Sequence, residues 1–301
     1  MLTYARQAKA ENTRRAYAAD WRDFVAYARS RGQSALPADA DTVAFYLRHL
    51  ITSRGLKIAT VSRRLAAIAE QPHGKGLLSP VDEWVVRKTL RRLRCEHGPP
   101  ARGKAPLLTA DIISMVAATP DRLAGIRDRA ILLLGFAGAM RRRELVSLDI
   151  EDLALAPEGL VISIKKSTTD QNHRGRKIGI PYGANEFTCP VRAVLRWLEK
   201  SRLSEGPLFR GVTKHSAVRI TRLTDQIVAD IVKRYASAIG KYACRFSAHS
   251  LRAGFITSAA IAGVSERSIQ DQSGHQSVTV LRRYIRDACI LRHNAATKVG
   301  L

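Results

Sequence analysis

The chain has 301 residues, 46% of them hydrophobic, which suffices for a packed core and for two domains of ordinary size and excludes a wholly disordered polypeptide. Lysine and arginine total 50 against 26 acidic residues, a net charge of +24. Such an excess points to a polyanion, nucleic acid or an anionic membrane surface, with nucleic acid favoured over a mere solubility charge. The four cysteines (Cys95, Cys189, Cys244, Cys289) are far apart and form no C-x-x-C pair, which argues against a disulfide scaffold and a zinc site. Cys95, His97 and His73 match no common zinc spacing, so neither a metal nor another cofactor is expected. Charges at Arg6, Lys9, Glu11, Arg14 and Arg15 interrupt any signal peptide, and the longest apolar stretch, Ala130 to Met140, is too short to span a bilayer. The expectation is a cytoplasmic, nucleoid-associated protein with no membrane partner.

The first ninety-odd residues predict four helices. Tyr17, Trp21, Phe24, Val25 and Ala28 form one helical face that stops at Gly32. Val43, Tyr46, Leu47, Leu50 and Ile51 form a second, after capping candidates Asp39 and Asp41. A third follows Thr60 with Val61, Leu65 and Ile68 and is stopped by Pro72. A fourth follows Asp82 with Val86, Leu90 and Leu93 inward; its other face carries Arg87, Lys88, Arg91, Arg92 and Arg94 with no acidic residue among them, and is read as a phosphate-contacting face. The stretch 97–106, with three prolines and two glycines, has linker composition, so the domains are expected at 1–96 and 107–301.

The second domain opens with Thr109 as a predicted N-cap for a helix carrying Ile112, Ile113 and Val116. Ile126 to Gly138 reads as a buried helix. Leu160, Ile162 and Ile164 alternate as a strand, with Ile178 and Ile180 as its partner. Helical patterns return at Pro190 to Leu198 and at Asp225 to Ile239. The predicted fold class is mainly α with one small antiparallel β-sheet: a helical N-terminal domain followed by an α+β domain.

Five residues then suggest chemistry. Arg141 opens an Arg-Arg-Arg-Glu-Leu run; His249 and Arg252 differ by three and share a helical face; His275 follows Gly274; and Tyr284 stands nine residues later. Taken singly, each is more often a surface or core residue than a catalytic one. Together they are what metal-free phosphodiester cleavage requires: tyrosine as oxygen nucleophile, guanidinium groups on the non-bridging oxygens, and histidine for protons and hydrogen bonds.

In order and spacing this second domain resembles the catalytic domain of the tyrosine recombinases, the phage-integrase family. The Arg-x-x-Glu-Leu box is matched by Arg141, Glu144 and Leu145, and the His-x-Leu-Arg box by His249, Leu251 and Arg252, with Gly254 and Phe255 following. Gly274-His275 matches the Gly-His dipeptide, and Arg283-Tyr284-Ile285 the context of the nucleophile. The first domain resembles the family's helical core-binding domain in layout only. One departure stands out: where the family has a hairpin lysine in Ser-Lys-Thr-Asp-Gln, this chain reads Ser167-Thr168-Thr169-Asp170-Gln171. Lys166, two residues before Thr168 and of the same strand parity, is the expected substitute; Lys165 would face away and Lys177 belongs to the next strand.

The resemblance implies a site-specific DNA recombinase that cleaves and rejoins duplex DNA through a 3′-phosphotyrosyl link, releasing a 5′-hydroxyl and needing neither ATP nor metal. It implies Arg141 and Arg252 on the phosphate, His249 as acid–base, His275 as a hydrogen-bond donor and Tyr284 as nucleophile, with a homotetramer joining two DNA sites for integration, excision or resolution. The general-acid role of the family lysine is expected to pass to Lys166, its substitute by strand alternation. A free tyrosine of pKa ~10 is only about 0.1% ionised at neutral pH, so a cationic pocket is needed to favour the phenolate. Type IB topoisomerase chemistry and a DNA-binding protein with a decayed site are the alternatives, the latter supported only by Thr168.

Overall fold

The computed structural model describes residues 11–73, 77–98, 104–165 and 175–289, and its contacts divide the chain into two units, Met1–Gly103 and Lys104–Leu301. The first unit contains α1 (Glu11–Ser30), α2 (Ala40–Thr52), α3 (Ile58–His73) and α4 (Trp84–His97). The apolar stripes predicted for these helices are the ones that turn inward: Phe24, Val43, Tyr46, Leu47, Leu50, Val61, Ile68 and Val86 form one core. Asp39 caps α2, its carboxylate accepting from the backbone N–H groups of Asp41 and Thr42 at 3.0 and 3.2 Å. Helix α3 includes Pro72, which was expected to stop it, and the described helix reaches His73.

Not all the positive charge of this unit faces solvent. Arg63 and Arg64 pair with the buried Asp20, while Arg54 and Arg64 pair with Asp23, which also accepts from the Tyr46 hydroxyl at 2.6 Å. Burial raises the Asp20 carboxyl above its usual range despite the two arginines beside it, and burial together with Asp23 pushes the Tyr46 phenol up.

The second unit holds α5 (Thr109–Ala117), α6 (Leu123–Ala137), α7 (Arg142–Ser147), β1 (Leu153–Ala156), β2 (Gly159–Ile164), β3 (Arg176–Pro181), α8 (Pro190–Ser201), β4 (Arg210–Val212), β5 (Val218–Arg222), α9 (Asp225–Ala238), α10 (His249–Ile261), α11 (Glu266–Ser273) and α12 (Val278–Cys289). The fold is mainly helical with small antiparallel sheets. The strand pair predicted from alternating isoleucines forms in register, Leu160 opposite Ile180 and Ile162 opposite Ile178. Two corrections apply. β1 adds a third strand beside β2, and β4 with β5 forms a separate two-stranded ribbon, so the described residues hold two sheets where one was expected. Half-exposed strands hide from pattern reading, and Ile220 on the ribbon is 87% exposed.

The start of this unit also differs from expectation. Helix α4 reaches His97, while Ala105 and Leu107 donate backbone hydrogen bonds to the carbonyls of Arg245 and Ser250 at 3.0 and 3.1 Å, so the predicted linker is shortened from both sides. The chain crosses α10 so closely there that a Cβ on Gly254 would meet the Leu107 carbonyl at 1.8 Å; only glycine fits. Thr109 is the first helical residue of α5 and not its cap; Leu108 is the cap, its N–H donating to Asp111 at 3.0 Å. The core is built on α6, whose Ile131, Leu132 and Leu134 are buried, and on Trp197 of α8, whose indole donates to the Leu208 carbonyl at 2.8 Å. No helix of the described residues is long and apolar enough to cross a membrane.

Candidate active site

Four segments converge on one end of the second unit: the turn before α7, the start of β3, the first turn of α10 and the stretch running from the end of α11 into α12. At the first, Ala139 adopts φ +46°, a left-handed conformation uncommon for a residue with a Cβ. The chain then enters α7 with Arg141 as its N-cap. Glu144, 1% exposed, closes the turn: one carboxylate oxygen accepts from the Arg141 backbone N–H at 2.9 Å, and the other from the Arg141 guanidinium at 2.7 Å. The local sequence explains this, since an acidic residue at the third helical position bonds back to the cap. The guanidinium is thereby aimed by a carboxylate that is itself buried.

Arg252 is 1% exposed in the first turn of α10, and Nη1 donates to two backbone carbonyls, that of Ala139 at 2.7 Å and that of Ser273. Nη2 lies against the His275 ring, 3.1 Å from Nδ1 and 3.2 Å from Nε2. Burial first, and the Arg141 cation second, push this guanidinium down to about 9, so it stays charged at neutral pH but in a setting short of anions. An arriving phosphodiester would relieve that shortage.

The histidines sit in the same field. Burial pushes His275 down to about 3, with Arg252, Arg141, His249 and Arg176 adding to the effect. Its Nδ1 lies 2.8 Å from the Ser273 hydroxyl, and its carbonyl accepts from the Gln270 side chain at 2.8 Å. His249 is lowered as well, by burial of its ring, Arg252 and Arg141, although one edge of the residue remains open to solvent. Both imidazoles are therefore neutral at pH 7. Taking Nδ1 of His275 as the acceptor, since both Arg252 Nη2 and the Ser273 hydroxyl face it, places the ring proton on Nε2. His249 Nε2 stands 3.0 Å from the Tyr284 hydroxyl, and the Tyr284 ring centre is 6.5 Å from each histidine ring. A neutral imidazole at that distance can accept a phenol proton. Beside it opens a cleft of about 380 Å³ lined by Arg141, Arg142, Arg143, Ser247, Ala248 and His249.

The structure thus brings Arg141, His249, Arg252, His275 and Tyr284 together. Lys166 and Thr168 lie outside the described residues. Lys165 is committed elsewhere, its ammonium 2.5 Å from the buried Asp152 carboxylate. Arg176 was missed from sequence. It opens β3 on the face of the buried Ile178 and Ile180, and its guanidinium donates to Glu144 at 3.2 Å and to the Gln272 carbonyl at 2.8 Å. An arginine in phase with two core isoleucines was the available signal.

On α4, Arg87 and Arg91 are exposed and have no ion-pair partner among the described residues; Lys88 lies 4.3 Å above the Trp84 ring. The expected absence of acidic partners fails at Arg92, which pairs with Glu96 one turn later at 2.6 Å.

Comparison with known proteins agrees with this geometry. Residues 107–289 match the phage integrase family and residues 2–70 its N-terminal SAM-like domain. An integrase/recombinase XerD homolog of Selenomonas ruminantium is 38% identical over 297 residues, covering 97% of this chain and 86% of that protein. The recombinase Cre of Escherichia phage P1 is 25% identical, covering 94% and 86%. The fold is that of the XerH site-specific recombinase bound to palindromic difH substrate (TM-score 0.62, 19% identity, covering 87% of this chain and 72% of that one). The chain belongs to the phage integrase family of tyrosine recombinases.

Proposed function

We propose that this recombinase breaks a DNA strand by attack of the Tyr284 hydroxyl oxygen on phosphorus, with the residues predicted from sequence as its catalytic set. The phenol proton passes to His249 Nε2, the P–O5′ bond breaks, and the product is a 3′-phosphotyrosyl link with a free 5′-hydroxyl. Arg141 and the Nη2 edge of Arg252 hold the non-bridging oxygens and stabilise the charge that builds on the phosphorane. His275 donates from Nε2. The 5′-oxygen takes its proton from Lys166, the residue the sequence offers in place of the family's hairpin lysine. The observation that carries this reading is the 3.0 Å approach of the Tyr284 hydroxyl to a neutral His249 beside an arginine-lined cleft. Because the phosphoester energy is kept in the protein link, reversal by a 5′-hydroxyl reseals the strand.

Two further parts of the proposal rest on family membership and charge. The basic face of α4 contacts DNA phosphates through Arg87, Lys88 and Arg91, with Arg92 contributing less because Glu96 already partners it. Two duplex sites are joined by a homotetramer, each protomer supplying one Tyr284. The test is a nicked suicide substrate, on which the native chain accumulates a protease-sensitive covalent adduct. Tyr284→Phe forms none while binding the same DNA as tightly. An adduct that survives the substitution would move the nucleophile to another tyrosine and refute the assignment.

A further inference from the structure

We infer that Arg176 is a positioning residue for strand cleavage, a strut that holds both the arginine and the histidine side of the catalytic site in place; this rests on the proposed roles of Arg141 and His275 at the phosphate. Its guanidinium touches neither the cleft nor Tyr284. One nitrogen donates to Glu144 Oε2 at 3.2 Å, opposite the Oε1 that Arg141 grips at 2.7 Å, so a single buried carboxylate is shared by two arginines. The other donates to the Gln272 carbonyl at 2.8 Å, in the last turn of α11, three residues before His275. Carbonyls at a helix C-terminus lack helical partners, and a cation there is favoured by the helix dipole.

The fit is close. Gly274 caps α11 at φ +64°, and a Cβ there would lie 2.6 Å from Arg176 Nη1 and 2.7 Å from its Cζ. The turn that delivers His275 is therefore laid directly over the Arg176 guanidinium. The Gln272 side chain ties the same turn to the Ala137 carbonyl at 2.9 Å and to that of Gly179 on β3 at 3.2 Å. Arg176 connects this turn to Glu144 through the two ends of one guanidinium. Without it, Glu144 loses its tie to β3, and the His275 turn loses one of its supports.

The experiment is single-turnover cleavage of a nicked DNA site by the full chain at saturating protein, with Arg176→Met, Arg176→Lys, Glu144→Gln and the Arg176→Met/Glu144→Gln pair. Arg176→Met is expected to cut about 10- to 100-fold more slowly, the range that a displacement of an ångström costs an oriented site, with DNA affinity unchanged. Arg176→Lys recovers part of the rate, since an ammonium can still meet Glu144 but cannot also reach Gln272 as a fork. The decisive reading is the pair. If Arg176 acts in part through Glu144, the double variant cleaves faster than the product of the two single losses predicts, because the share carried by the carboxylate is lost only once, while the Arg176 bond to the Gln272 carbonyl persists in Glu144→Gln. Losses that multiply across the pair, or an Arg176→Met variant that cleaves at the native rate, overturn the inference. Arg141→Ala serves as the separate control: native cleavage by that variant would defeat the underlying reading of the site, whatever Arg176 does.

Discussion

Replacing His275 with glutamine should make the second unit less sensitive to acid. The imidazole is held near 3, mainly by burial and then by Arg252 and Arg141, against about 6.5 in an unfolded chain. The sign follows from which state binds the proton. Between those two values the unfolded chain is protonated at this residue and the folded chain is not, so stability falls as the pH drops below about 6.5. Each pH unit in that window costs about 1.4 kcal/mol, so moving from pH 7.5 to pH 5 removes about 2 kcal/mol that a glutamine variant keeps. Trp197 offers a probe confined to the right unit: it is fully buried in that core, whereas the other two tryptophans, Trp21 and Trp84, lie in the first unit. Urea unfolding followed by Trp197 fluorescence in a Trp21→Phe/Trp84→Phe background, at both pH values, measures the difference. Equal losses in the native and glutamine chains would show that His275 is not held neutral, and the description of the pocket as a site short of anions would fall with it.

Lys166→Ala should slow cleavage by roughly 10²–10⁴ if it supplies the leaving-group proton, and a 5′-phosphorothiolate substrate should restore the rate. Lys165→Ala should leave the rate unchanged, since that ammonium is spent on Asp152; equal effects of both would remove Lys166 from the mechanism. DNA affinity should fall steeply with salt, each phosphate contact contributing about 0.9 to the slope. Charge reversal at Arg87 or Arg91 should flatten that slope more than reversal at Arg92, and an unaltered slope in all three would return the α4 face to solvent. Gly274→Ala should destabilise the second unit by about 1–3 kcal/mol, since it forces a Cβ into both a left-handed conformation and the Arg176 guanidinium; a native unfolding midpoint would contradict the packing described.

What could be read from sequence was whatever repeats or has a fixed spacing. The stripes of α1 and α2 and the paired isoleucines of β2 and β3 follow from periods of 3.6 and 2, and each buries the face it was expected to bury. His249 and Arg252 share a face because three residues make nearly a turn of helix. The misses have a different physical character. β4 and β5 bury too little to leave an alternation, and α3 carries Pro72 within it although a proline was expected to stop it. Arg176 was passed over because its two partners, Glu144 and the Gln272 carbonyl, are distant in sequence, and one of them is a backbone atom with no letter of its own.

Backbone acceptors recur throughout the pocket. Arg252 reaches the carbonyls of Ala139 and Ser273, Arg176 that of Gln272, and Gln272 those of Ala137 and Gly179. A carbonyl oxygen is the same whatever side chain it accompanies, so these bonds read the path of the chain and ignore its spelling. A handful of long polar side chains can therefore staple loops together through atoms that every residue carries. Relatives that keep those side chains and the local backbone trace can differ nearly everywhere else and still assemble the same pocket. A chain that keeps every reactive group but bends one of these loops differently would have all the chemistry and nowhere to perform it.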